Sequence, residues 1–77
     1  MTIKYVMDLK ISPHPVQNSL NFNIIIHKAH ICNSLGEQVQ TVNYMTTSID
    51  VSDLVVGLYY VTAFTEHGII TKSFVKF

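Results

Sequence analysis

The residues of this chain that could do chemistry are four histidines (His14, His27, His30, His67), a lone Cys32, the Asp50 and Asp53 pair, and Tyr59-Tyr60. Imidazoles could ligate a metal ion. His27 and His30, however, are three apart, and on a strand they face opposite sides and cannot share one. Surface histidine is the better account of all four. Cys32 could be a nucleophile, yet no acid accompanies His27 or His30, and a small buried filler is the simpler reading. Asp50 and Asp53 lack the glycine-hinged loop of alternating oxygen ligands that calcium needs, and capping of a local turn explains both. Tyr59 and Tyr60 could stack on sugar or single-stranded nucleic acid. Adjacent strand residues point to opposite faces, so one of the two belongs to the core. Lys72 and Lys76 share a strand face and could form a small basic strip, or they simply protect an edge strand. No nucleophile–base–acid set can be assembled at plausible spacing. The sequence therefore predicts no catalytic, cofactor-binding or metal-binding residue.

Composition narrows the classes further. The 77 residues predict one domain spanning 1–77, near the lower size at which a chain folds without staples. One cysteine excludes an intramolecular disulfide, so stability must come from the apolar 48% of residues. Five acidic and five basic residues give zero net charge, which leaves no electrostatic footprint for nucleic acid or an anionic membrane. The apolar stretch around Phe22 to Ile26 is broken by Asn23 and falls far short of the ~20 residues a spanning helix needs. Met1 leads into Lys4, Asp8 and Lys10, which interrupt any apolar core of a secretory signal.

The elements that must position these residues are read from punctuation. Turn residues repeat between runs of period two, the pattern of a small antiparallel β domain. Tyr5 to Ser12 reads as a first strand, with Tyr5, Met7, Leu9 and Ile11 on one face. Pro13-His14-Pro15 stops it and forms a stiff corner expected to carry the chain from one sheet to the next. Leu20, Phe22, Ile24 and Ile26 alternate with Asn21 and Asn23 as a half-buried second strand. Lys28 to Cys32 is a third, with Ala29 and Ile31 on one side and His30 and Cys32 on the other. Asn33-Ser34-Leu35-Gly36 is a turn in which Gly36 supplies a positive φ. Glu37 to Val42 is a fourth strand, with Val39 opposite in phase to Gln38 and Gln40. After a polar loop over Asn43 to Thr47, Ser48 to Val51 is a fifth. Asp50 and Ser52 can cap a single helical turn that drops Leu54 inward as a plug. Gly57 to Thr65, apolar on both faces, reads as a central strand. Glu66-His67-Gly68 then turns into a last strand over Ile69 to Phe77. Seven strands at this spacing predict an all-β sandwich.

Several of these motifs occur in a telling order: the Pro-x-Pro corner, Asn33-Ser34-Leu35-Gly36, Ile49 to Leu54 with Gly57-Leu58-Tyr59, and the closing Phe74-Val75-Lys76. Over about Lys10 to Phe77 the chain resembles the type A C-terminal sorting domain carried by cargo proteins of the type IX secretion system of Bacteroidota. The resemblance implies a seven-stranded Ig-like β-sandwich at the end of a larger secreted protein. It further implies recognition by an outer-membrane translocon after passage through the periplasm, and removal by a sortase-like surface protease. The cargo would end attached to the cell surface or released. The family's corner falls on Pro13 and Pro15, its loop glycine on Gly36, its inward plug on Leu54 with Gly57 and Tyr59, and its terminal basic position on Lys76. Two positions depart from the pattern: His14 stands where an asparagine is usual, and Cys32 where a tyrosine is common. Neither a passenger domain nor an N-terminal signal accompanies these residues, so the chain reads as an excised domain.

The preferred expectation is a non-catalytic export and sorting module, grasped at Val75, Lys76 and Phe77, where a strand running to the final residue sets a carboxylate and Lys76 at the sheet's rim. It would bind no cofactor or nucleic acid and insert into no membrane. The alternative is an Ig-like carbohydrate- or protein-binding accessory module using Tyr44, Tyr60 and Phe64. A small enzyme has the least support, because the domain is too small to enclose an ordinary substrate cavity.

Overall fold

The computed structural model describes residues 9–77. Among these are seven strands and no helix: β1 (Ile11–Ser12), β2 (Ser19–Ile26), β3 (Lys28–Asn33), β4 (Gln38–Val42), β5 (Thr46–Asp50), β6 (Gly57–Thr65) and β7 (Gly68–Lys76). They form two antiparallel sheets, a three-stranded one in the order β1-β2-β5 and a four-stranded one in the order β4-β3-β6-β7. The fold is thus the seven-stranded β-sandwich that the alternating pattern predicts. The first half of the expected first strand, Tyr5 to Asp8, lies outside the described residues.

Alternation decides what is buried. Leu20, Phe22 and Ile26 of β2 and Ile49 of β5 face Ala29 and Ile31 of β3, Tyr59, Val61 and Ala63 of β6, and Phe74 of β7 across one apolar core. Burying so many whole side chains supplies the driving force a disulfide-free domain of this size requires. As expected of a central strand, β6 is flanked on both sides, by β3 and β7. Tyr59 is core and Tyr60 is exposed.

Four local expectations are corrected. The proline corner delivers the chain to the other sheet for a single residue only: Val16 bridges Lys76 of β7, and the chain then returns, so that β2 pairs with β1, Ile11 opposite Phe22 and Ser12 opposite Asn21. Rigid prolines fix the bend but leave open which partner the chain rejoins, and the shared inward face of Ile11 and Phe22 decides that. The first crossing from a strand of one sheet to a strand of the other falls at His27, between β2 and β3, and the His27 N–H donates to the Phe64 carbonyl at 2.7 Å. In β4, Val39 is exposed. The register slips there, with Ile31 opposite Gln40 but Cys32 opposite Gln38, and such a bulge breaks simple alternation. No helical turn forms after β5. The Leu54 N–H bonds the Val51 carbonyl at 3.0 Å, which closes a β-turn; Val51 is the fully enclosed residue, while Leu54 packs half-buried against the core. Cys32 lies half-buried on the outer face rather than in the core, because Ala29 and Ile31 take the inward positions of β3.

Candidate functional site

The end of the sandwich where β7 finishes is built by three loops. The first is the proline corner, in which both the Ser12–Pro13 and His14–Pro15 peptide bonds are cis. Beyond it Val16 forms a parallel bridge with Lys76. The Val16 N–H donates to the Val75 carbonyl at 2.9 Å, and its own carbonyl accepts from the Phe77 N–H at 2.8 Å. Val16 is fully buried, so its side chain anchors the clasp to the core. A segment preceding β2 therefore holds the edge of the last strand in the opposite sheet. His14 and Pro15 line a shallow recess with Leu58, Val75 and Phe77.

The second loop joins β5 to β6. Asp50 Oδ1 accepts from the Ser52 N–H at 2.9 Å, and hydrogen bonding from Ser52, its hydroxyl first and its N–H second, holds the Asp50 carboxyl below its ordinary pKa. Asp53 is exposed at the turn. Buried Tyr59 donates its hydroxyl to the Val55 carbonyl at 2.7 Å and stacks on Phe74 with ring centroids 5.6 Å apart. That tether pins the loop to β6 just as Gly57 starts the strand opposite Lys76.

The third loop joins β3 to β4. Asn33 Oδ1 accepts from the N–H groups of both Leu35 and Glu37 at 3.0 Å, and its carbonyl accepts from Gly36 at 3.0 Å. Gly36 has φ +85, with open space where a Cβ would be, so the backbone conformation alone calls for glycine there. Asn33 lies opposite Tyr59, and Tyr59 opposite Phe74, which places this turn at the same end of the sheet.

Lys76 departs from the sequence reading. It shares a face with Lys72 as expected, but that face is the inner one. Lys76 is only 6% exposed, and its Nζ donates to the Phe77 main-chain oxygen at 2.9 Å. The neighbours Val75 (43%) and Phe77 (61%) carry the exposed surface. Of the remaining candidates, Pro13, Pro15 and Gly36 are exposed, Leu54 and Gly57 half-buried, and Tyr59 buried. Exposed positions can touch a partner directly; the buried ones shape the loops that do.

The family model of the secretion system C-terminal sorting domain matches residues 10–76. The chain belongs to that family. It is the sorting domain of type IX secretion, and the matched span takes in all three loops and the clasp at Val16. No curated protein and no solved structure matches the sorting domain significantly.

The other chemistry-bearing residues of the sorting domain lie apart. His30 is on the outer face of β3, edge-on to Phe64 at 5.4 Å. Its Nδ1 is buried without a hydrogen-bond partner, so it is not the plain surface histidine the sequence suggests. Lys28 Nζ stands 4.6 Å over the Phe64 ring. His67 lies in the β6–β7 turn beside Glu66 at 3.6 Å. Among the described residues, no three His, Cys, Asp or Glu side chains are grouped to hold a metal ion. Tyr44 sits in the β4–β5 loop, away from Tyr60 on β6. The Val16 clasp was missed by sequence reasoning. Its signal is a single apolar residue amid Pro15, Gln17 and Asn18, too short to register as a strand.

Proposed function

We propose that the domain is a non-catalytic sorting signal. It directs a cargo protein from the periplasm across the outer membrane through the type IX translocon. A sortase-like protease then removes it, leaving the cargo at the cell surface or released. The family match over residues 10–76 carries this reading. The translocon reads the folded sandwich at the end of β7. Because Val16 already engages the Val75 carbonyl and the Phe77 N–H, adding a foreign strand there would first have to displace it. Recognition through the outward side chains of Val75 and Phe77 avoids that cost.

The test fuses residues 1–77 behind a periplasm-directed reporter in a host possessing this secretion system. The native fusion should appear outside the cell with its domain cleaved off. The double variant Val75→Ser/Phe77→Ser keeps the backbone clasp, and exposed substitutions of this kind shift stability by only about 0.5 kcal/mol. It should cut export roughly tenfold, the loss expected when interface anchors are removed. Undiminished export of that variant would eliminate the terminal-strand mechanism. A native fusion that stays in the periplasm would eliminate the sorting reading itself.

A further inference from the structure

The end of the sandwich that carries the clasp also presents apolar side chains where loop tips are ordinarily polar. Leu35 is 83% exposed, Val55 76% and Val56 71%. Two of the three are tied down by hydrogen bonds of their own backbone. The Leu35 N–H is held by Asn33 Oδ1, and Val55 is held through its carbonyl by the Tyr59 hydroxyl. Two loops thus present bare aliphatic groups at the same end of the sandwich as Leu58 and Phe77. A clustered exposed apolar surface of this kind marks an interaction site.

Charge is also distributed unevenly, although the total is zero. Glu37, Asp50 and Asp53 are exposed at this end. Lys76, at this same end, is buried with its Nζ turned onto the Phe77 oxygen. Lys28 and the Glu66-His67 turn lie at the opposite end, Lys72 lies midway along β7 opposite Val61, and exposed Lys10 lies beside Asn23 in the middle of β2. The apolar tips therefore share their end of the sandwich with three exposed carboxylates.

We propose that Leu35, Val55 and Val56, with the Glu37 and Asp53 carboxylates at the same end, form a docking surface for a folded protein whose apolar recess is edged by lysine or arginine. If the sorting reading holds, that protein is part of the export machinery, and the surface adds a second contact beside Val75 and Phe77. Complementary charge favours this occupant. A second copy would set carboxylates against carboxylates, and an anionic lipid surface would repel the same groups.

The test places a photoreactive benzophenone amino acid at Leu35, at Val55, or at exposed Ile25 as a control, in the reporter fusion inside living host cells. Leu35 and Val55 should each give a protein adduct at least about tenfold stronger than Ile25, with the joined peptide bordered by Lys or Arg. Glu37→Lys/Asp53→Lys should weaken that adduct about tenfold, as expected for lost charge complementarity, while the purified domain melts at an unchanged temperature. An adduct to lipid or to another copy overturns the proposal, as does a protein adduct indifferent to the charge reversal, or none at all. Binding of the purified domain to phosphatidylethanolamine–phosphatidylglycerol vesicles that is lost in Leu35→Ser also overturns it. These readouts stand whether or not the reporter leaves the cell, so failure of export counts only against the sorting function.

Discussion

Asp50 shows how one side chain organises a loop and leaves a measurable trace. Its carboxylate is hydrogen-bonded by the Ser52 hydroxyl and by the Ser52 N–H at the head of the β5–β6 turn, and the two bonds, the hydroxyl's first, lower its pKa below the ordinary 3.8. A carboxyl with a depressed folded-state pKa adds stability that is fully present above its unfolded value. The contribution disappears as pH falls through the folded one. The melting temperature of the native domain should accordingly drop towards that of Asp50→Asn, which keeps the acceptor oxygen but cannot titrate, as pH is lowered below 3.8. Parallel melting curves across that range would show that the charge contributes nothing. Much at this scale was legible. The opposite faces of Tyr59 and Tyr60 and the capping role of Asp50 follow from period and residue type. Lys76 was harder, since period two puts it on the same face as Phe74, yet a lysine at a strand's end reads as solvent-bound. Its ammonium reaches the Phe77 oxygen, a bond no linear pattern announces.

At the scale of elements, the β3–β4 turn depends on Asn33. Its side-chain oxygen satisfies two backbone donors, and its amide also donates to Glu37 Oε1 at 3.1 Å. Asn33→Ala should destabilise the domain by about 1–2 kcal/mol, the usual cost of a lost cap or of backbone groups left unpaired. That would lower the melting temperature by roughly 4–8 °C per kcal/mol for a domain of this length. An unchanged melt would mean that water replaces Asn33 without penalty. The strands themselves were largely readable, and β6 occupies the predicted residues. The bulge in β4 and the return of β2 to the same sheet as β1 were not. Both depend on which partner strand offers an apolar face, and that information is spread over residues far apart in sequence. The docking surface was equally hidden, because Leu35, Val55 and Val56 look like core residues until the turns on either side fix them outward.

The whole molecule rests on one core assembled from both sheets, with little to spare. A chain of this size is expected to have only about 4–12 kcal/mol of stability. Leu20 is fully buried in β2, and Leu20→Ala should remove about 2–5 kcal/mol, enough to leave a large unfolded fraction. Chemical denaturation with an unshifted midpoint would contradict this account of the core. The contact between Val16 and the end of β7 spans most of the chain, and it has a kinetic corollary. Whenever the polypeptide threads through a pore in the order of its sequence, Val16 emerges long before Val75 and Phe77, and the latch between them cannot shut until the domain is almost entirely through. Under that order of emergence the latch is among the last contacts to close, and a chain stalled before Val75 cannot make it.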